Sequence, residues 1–440
     1  MKPAKLILSV LISFILITAN GCWDRRELES LGFVMALGLD PGPDGKSVTT
    51  TTMIAIPPKI AGAAQSGAGG GGGAGGGNGS EAGTLVITMN APAIYEAFNR
   101  INTVINREIT LNQTLTLLIG EELARRGIRK WADTFIRFRE MRRTMLVFIC
   151  QGKAADFLNF EPQLEKNPAE YFSDLVRLSA RSGMFPATTL NEFIAHYEGL
   201  YQENYAPVLA KYQPQEASPE AGGPSSGGGG PGEGGARDGD LPDKQGPSGA
   251  TGASSAKIKG VRLAGTAVFK RDRMVGQLDN YESQAFLLLT GEFREALLTL
   301  ADPRKKDYNI SLRLSQAAPP RIKYLRRKTQ DLFKINLKLE ADLTSIQNGI
   351  NYTKPRMQEY LERHIAHIIK ERLEKVIKKT QEEYRSDIFG FGKKVRLTFL
   401  TSQDWEKYHW PERFSQAGFQ VSVKVNIRRV GMELQPPLPR

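Results

Sequence analysis

A chain of 440 residues is too long for one ordinary hydrophobic core, so two or three modules are expected; 40% hydrophobic and 24% charged residues are ordinary for globular material. The net charge of +12 suits nucleic acid or an anionic lipid surface, but the basic residues are scattered through 137–143, 323–328 and 370–379 without interleaved aromatics, which argues against nucleic acid. With only Cys22 and Cys150, a disulfide framework is excluded once Cys22 is otherwise engaged.

Lys2 and Lys5 precede an apolar run over residues 6–17, and Thr18, Ala19, Asn20 and Gly21 lead to Cys22. A positive start, a short apolar run and a small residue describe a secretory signal. The run is well short of the roughly 20 residues that span a bilayer as a helix. A cysteine directly after the small residue points to lipoprotein processing. The thiol is acylated, residues 1–21 are removed, and Cys22 becomes the first residue. Acyl chains then hold a water-soluble protein on a bilayer, at about 0.8 kcal/mol per buried methylene. The alternative is a conventional cleaved signal followed by a buried thiol.

Residues 24–29 read as a short charged helix, and the apolar stretch 33–39 meets turn signals at Asp40-Pro41-Gly42 and Asp44-Gly45. Alternation over 47–56 completes a hairpin. Residues 62–83 are nearly all Gly and Ala with Ser and Asn, too little apolar surface to offset the entropy of ordering, and read as a flexible loop. Strands are expected over 84–89, 111–119 and 144–150. Helices are expected from Pro92 to Asn106 and over 121–139, 153–160, 168–181 and 188–201. Phe172, Leu175 and Val176, then Phe193, Ile194 and Tyr197, mark the apolar faces of the last two. These elements make residues 22–212 an N-terminal α+β domain.

Residues 213–256, rich in Gly, Pro and Ser, read as a linker with a coil span on the order of 35 Å. It lets neighbouring modules move independently unless the flanking strands pair across it. In a middle module, 257–305, strands across 258–278 turn at Arg271-Asp272-Arg273, and a helix follows over 281–300. In a C-terminal α+β domain, 306–440, strands are expected over 308–314, 321–327, 332–343, 395–400 and 421–429. Between them Pro355 opens a long helix with Met357, Leu361, Ile365, Ile369, Leu373, Val376 and Ile377 at helical spacing. The fold class is therefore α+β: three mixed modules with antiparallel-rich sheets and one long amphipathic helix packed on the last sheet.

The chain has four histidines, His196, His364, His367 and His409. His364 and His367 lie three apart, whereas a metalloprotease helix needs two histidines four apart with a Glu beside the first. They read as the polar border of the helix. No Gly-x-Ser-x-Gly elbow occurs, and Cys150 follows the apolar run 145–149 as a buried thiol with no histidine nearby in sequence. Asp404 and Glu406 are ordinary surface carboxylates. Gly390-Phe391-Gly392-Lys393 is read as leaving a helix and entering a strand, the reverse of a helix N-terminal phosphate site. No catalytic, cofactor or metal residue is assigned, and the chain is not expected to be an enzyme.

Three segments carry a resemblance: GCWDRRELESLGFVMALGLD, GTAVFKRDRMVGQLDNYESQAFLLLTGE and SDIFGFGKKVRLTFLTSQDWEKYHWPERFSQAGFQVSVKVNIRRVGM. In this order they resemble the Ger(x)C family, the C-subunit lipoproteins of spore germinant (nutrient) receptors. The resemblance spans almost the whole chain, and the two Gly-rich tracts look like additions to it. It implies lipid attachment at Cys22 and a place on the outer face of the spore inner membrane. It also implies integral-membrane A and B subunits as partners, no known catalytic site, and contact with the nutrient that is indirect. A solute-binding lipoprotein that captures the nutrient itself is the competing reading, although such proteins usually show two doubly wound α/β lobes. A lipid-anchored wall hydrolase is the third.

Overall fold

The computed structural model describes residues 27, 30–55, 83–160, 162, 168–181, 183–212, 260–327, 330–347 and 349–429. The signal segment 1–21, Cys22, all but Glu27 of the expected helix 24–29, the Gly-rich stretch 62–82 and the tract 213–256 lie outside the described residues.

β1 (Leu31–Pro41) and β2 (Val48–Ala55) form the expected antiparallel hairpin. Its turn is tied by the Asp44 carboxylate, which accepts the backbone N–H groups of Lys46 and Ser47 at 3.0 and 2.7 Å. β3 (Thr84–Ala91) adds to β2, and α1 (Ile94–Asn102) and β4 (Glu108–Thr110) follow. β5 (Thr116–Gly120), β6 (Leu146–Cys150) and β7 (Tyr205–Tyr212) then extend the sheet parallel to β1. Between them run α2 (Glu121–Arg126), α3 (Arg129–Arg137), α4 (Ala154–Leu158), α5 (Pro168–Arg181) and α6 (Leu190–Gly199). β8 (Gly260–Lys270) and β9 (Arg273–Leu278) complete the order β3-β2-β1-β5-β6-β7-β8-β9, with β4 beside β1. The central strands are buried because separate apolar clusters cover the two faces, one around Leu37, Leu117 and Trp131, the other around Phe148, Phe157 and Phe172.

The strands that flank 213–256 are hydrogen-bonded neighbours: β7 and β8 pair antiparallel from Tyr205 opposite Val268 to Tyr212 opposite Gly260. Residues 257–305 thus contribute β8 and β9 to this sheet and one strand to a second. The sequence reading had no strand at β7, where Pro207 argues against one. The proline precedes Val208 and Leu209, the two residues that pair with β6. The expected helix 121–139 is two helices, because Gly127 takes φ 118° and packs where a Cβ would lie 2.6 Å from the Asp272 carboxylate.

The second sheet has the order β10-β11-β12-β13, from β10 (Glu295–Ala301), β11 (Asn309–Arg326), β12 (Asp331–Ile346) and β13 (Gly418–Arg429). It is preceded by α7 (Asn280–Thr290), whose start is a capping box between Asp279 and Glu282. The expected helix 281–300 stops at Gly291, which takes the left-handed φ of 83°, and β10 then alternates buried and exposed residues. Two expected strands, 308–314 and 321–327, are one long β11 with register shifts around Pro319 and Pro320. α8 (Pro355–Lys379) lies against the sheet through Leu361, Ile365, Ile369, Leu373, Val376 and Ile377, as its periodicity predicts, and ends in a π-turn, Thr380–Tyr384. The expected strand 395–400 does not form. α9 (Phe391–Arg396), α10 (Ser402–Tyr408) and α11 (Trp410–Arg413) occupy this region instead. Val-Arg-Leu-Thr-Phe-Leu alternates like a strand, but of its apolar residues only Val395 is buried, and among the described residues no strand lies beside it.

Gly265 sits at a bulge of β8 with φ 145°, and a Cβ there would meet the Leu278 carbonyl at 2.1 Å. Gly265→Ala is expected to cost at least about 2 kcal/mol. Thermal unfolding would show it, and an unchanged Tm would contradict the bulge.

Candidate functional site

Cys22 lies outside the described residues, so its chemistry is carried by the sequence alone. Cys150 is fully buried in β6; burial, then the nearby Asp40 and Asp156 carboxylates, push its thiol pKa well up, which keeps it protonated and inert. His367 pairs with Glu371 at 3.6 Å on the surface of α8, and no group of metal-ligating side chains occurs among the described residues.

Charged, aromatic and strained residues instead converge on a cleft of about 320 Å³ between the two halves of the chain. One side is the end of α6 with His196, Tyr197 and Leu200, the segment from Tyr201 to Glu203 that leads into β7, and the β8–β9 turn at Arg271 and Asp272. The other side comes from the C-terminal half: Asp387, Trp405, Glu406, His409, Trp410 and Glu412. Neither half forms it alone.

Asp387 holds the cleft's floor. Only 2% exposed, its carboxylate accepts the backbone N–H of Gly392 at 2.8 Å, that of Phe391 at 3.2 Å and the Trp410 Nε1–H at 2.9 Å. The segment beside it is stitched to the first sheet. Glu203 N–H donates to the Asp387 carbonyl at 2.9 Å, and the Gln202 amide donates to the Ile388 carbonyl at 2.8 Å. The Ser386 hydroxyl donates to the Phe269 carbonyl, and Phe269 N–H to that of Asn204. Glycine is required at 392, where a Cβ would lie 2.4 Å from the Tyr201 carbonyl and 2.5 Å from the Trp410 ring. Gly390-Phe391-Gly392-Lys393 therefore opens a short helix rather than a strand, and the N–H groups of Phe391 and Gly392 are taken by Asp387.

The cleft concentrates strain and unsatisfied polar groups. Among the described residues four non-glycines adopt left-handed backbone, Leu200, Arg271, Arg385 and His409, and all but Arg385 line the cleft. Such conformations persist only where surrounding structure enforces them. Arg271 is held there by its own N–H, which donates to the Glu203 carboxylate. Two buried polar atoms in the lining, His196 Nδ1 and Gln202 Oε1, have no hydrogen-bond partner among the described residues. Burial, and then the Lys393 charge, lowers the His196 pKa to about 4, so the ring is neutral, and burial raises that of Glu203. Arg271 and His409 both approach Glu412, at 3.6 and 3.9 Å. With Asp387 saturated by donors from its own chain, this arrangement is suited to joining and recognition. In the sequence Asp387 stands out only as part of the third resembling segment, where the signal is an acid one residue removed from two Phe-Gly steps and upstream of a tryptophan.

Two family models match the chain. One, described as spore germination protein N-terminal domain, covers residues 24–211; the other, described as spore germination B3/GerAC like, C-terminal, covers 264–431. The chain is 24% identical to putative spore germination protein YfkR of Bacillus subtilis (strain 168), over 97% of both proteins. It is 22% identical to spore germination protein B3 of the same organism, over 95% of this chain and 96% of that one. Against spore germination protein GerQC of Bacillus cereus, identity is 19% over 97% and 98%. The crystal structure of the GerBC protein aligns with 92% of this chain and 99% of its own, with a TM-score of 0.51 and 16% identity, a likeness of fold.

Burial dominates the Asp387 pKa and raises it from 3.8 to about 6 despite the donors. Between those values the folded chain keeps a proton that the unfolded chain releases. The stabilisation from this group is therefore fully present below about pH 4 and declines as the pH rises through about 6, by about 3 kcal/mol at most. Asp387→Asn is expected to remove that slope and to cost about 1–3 kcal/mol, since its amide turns an N–H toward a donor. Melting curves of both chains between these pH values measure it; parallel pH profiles would contradict it.

Proposed function

This chain belongs to the Ger(x)C family of spore germination proteins, and from that membership we propose that it is the lipid-anchored C subunit of a nutrient germinant receptor, held at the outer face of the spore inner membrane and acting by contact with the integral-membrane A and B subunits. The observation that carries the proposal is the placement of Cys22. It directly follows the signal-like segment and precedes, by a single residue, the start of the first family match at residue 24. Acylation there would tether the whole two-sheet body through eight residues, 23–30. Among the described residues no helix is long and apolar enough to cross a membrane, so in this reading the acyl chains supply the attachment. Confinement to a surface raises effective concentration, so modest contacts suffice for docking to membrane subunits. On this account the chain is not an enzyme, and the nutrient acts on it through the assembled receptor.

The unpartnered His196 Nδ1 and Gln202 Oε1 support a second reading, in which the cleft takes a small nutrient directly. Calorimetric titration of the purified protein with amino acids and sugars separates the two: tight, stoichiometric heat favours direct capture, and none favours action by contact.

Cys22→Ala is expected to leave the precursor uncut by the lipoprotein peptidase and to abolish its retention in spore membranes. Normal maturation of that variant would contradict acylation. The tagged protein should co-purify with the A and B subunits from detergent-solubilised spore membranes, and recovery without either would contradict the receptor assignment.

A further inference from the structure

Leu397 and Leu400 are 80% and 101% exposed, yet the loop that carries them is fastened from beneath. Arg396 donates to the Phe399 carbonyl at 3.1 Å and to the Ser402 hydroxyl at 3.2 Å, and the Thr398 hydroxyl donates to the Val395 carbonyl at 2.7 Å. Phe399, between the leucines, turns inward onto Tyr408 and Trp405 with ring centroids 4.9 and 5.8 Å away. The Arg326 guanidinium covers Phe399 at 5.1 Å. Below them Tyr408 donates to buried Asp331, which also accepts from Tyr324. An apolar pair on a fraying loop would mean little; one displayed by a braced loop is a surface awaiting a partner.

Charge indicates the partner. Exposed Lys393, Lys394 and Lys407 flank the loop in sequence, Arg326 reaches it from the end of β11, and the nearby acids are Asp404, whose carboxylate accepts from the Thr401 hydroxyl at 2.7 Å, and Glu406. Topology indicates the direction. β1, β5, β6 and β7 are mutually parallel, so β1 and β7 begin at the same end of the first sheet. Immediately before β7, the Tyr201–Asn204 segment is bonded to residues 386–392, from which α9 runs into the loop. The loop is thus attached at the end of the sheet where β1 starts, the end reached from Cys22 through residues 23–30, a span of at most about 28 Å.

We propose that the 397–400 loop is a membrane-contacting tip: Leu397 and Leu400 enter the outer boundary of an anionic bilayer, and the surrounding lysines and arginines meet lipid phosphates. The inference deepens the membrane-attachment reading above and rests on it for orientation. Two leucines and a cluster of cations give the combination that binds interfacial segments to anionic surfaces. The tip would give the body a second attachment besides Cys22, fixing its tilt, and so present the cleft side of the molecule at a set height above the bilayer.

The test uses the acylated full chain with a polarity-sensitive fluorophore on Leu400→Cys, bound to vesicles of equal parts phosphatidylcholine and phosphatidylglycerol. Cys150 is fully buried and does not compete for label. The expected result is a blue shift and quenching by headgroup-region nitroxide lipids. The same label on Lys46→Cys, in the β1–β2 turn at the opposite end of the sheet, stays unquenched. A second arm uses the unacylated mature Cys22→Ala chain, in which L397S/L400S should weaken binding to the same vesicles roughly tenfold or more while leaving the Tm unchanged. Loss of vesicle retention by the wild-type chain alone would count against acylation, not against the tip, which the second arm reads separately. An unquenched Leu400→Cys label together with equal binding by L397S/L400S would overturn the proposal. So would shielding of the label that appears only when the integral subunits are added, which would make the tip a protein contact.

Discussion

A carboxylate withdrawn from water is tolerated only where donors replace the hydration it loses. Asp387 meets that condition with donors brought by its own turn and by a tryptophan 23 residues further along. To present them the chain must fold back at Gly390 and Gly392, seat Trp410 beneath the turn and lay the segment against Tyr201–Asn204. The two sheets are joined through this arrangement, and the cleft between them takes its shape from it. The strained backbone at Leu200, Arg271 and His409 lies around the same joint. At Arg271 it is held by the hydrogen bond from the residue's own N–H to the Glu203 carboxylate.

What could be read in advance followed from patterns that are local and redundant. The first hairpin declares itself through Asp40-Pro41-Gly42 and Asp44-Gly45, α8 through a long run of correctly spaced aliphatics, and β13 through clean alternation. The illegible parts depended on distant partners. Pro207 argues against a strand, yet β7 exists because β8, from beyond the 213–256 tract, pairs along its whole length. The α7 run continues in apolar residues past Gly291, and only the glycine's left-handed turn ends the helix there. Residues 395–400 alternate as a strand would, but with no neighbour to pair with they make a braced turn that leaves two leucines in solvent. Asp387 was visible as a residue and invisible as a site, since its importance lies in Trp410 and Glu203, both distant in sequence. Cys22 is the converse case: its neighbours in sequence carry the expectation of acylation, and it lies outside the described residues.

The molecule presents two different surfaces near one end of its first sheet. The cleft is polar, aromatic and internally bonded, a joint whose lining keeps a few unpaired groups. The loop at 397–400 is apolar, rimmed by cations and rigid. A subunit that docks to membrane partners needs an attachment, a fixed orientation and a contact face. In the proposed reading, acylation at Cys22, the leucine tip and the cleft side of the body would supply these from separate parts of the chain. Leu397 and Leu400 belong to none of the apolar clusters that hold the two sheets, so the tip can be altered without dismantling the fold.

The central claim is that acyl chains on Cys22 hold these domains at a bilayer. Mass spectrometry of the amino-terminal peptide from protein extracted from spore membranes tests it most directly. The account predicts that Cys22 is the first residue and carries a diacylglyceryl group. A peptide with a free Cys22 thiol, or one that retains residues of the signal segment, would contradict it.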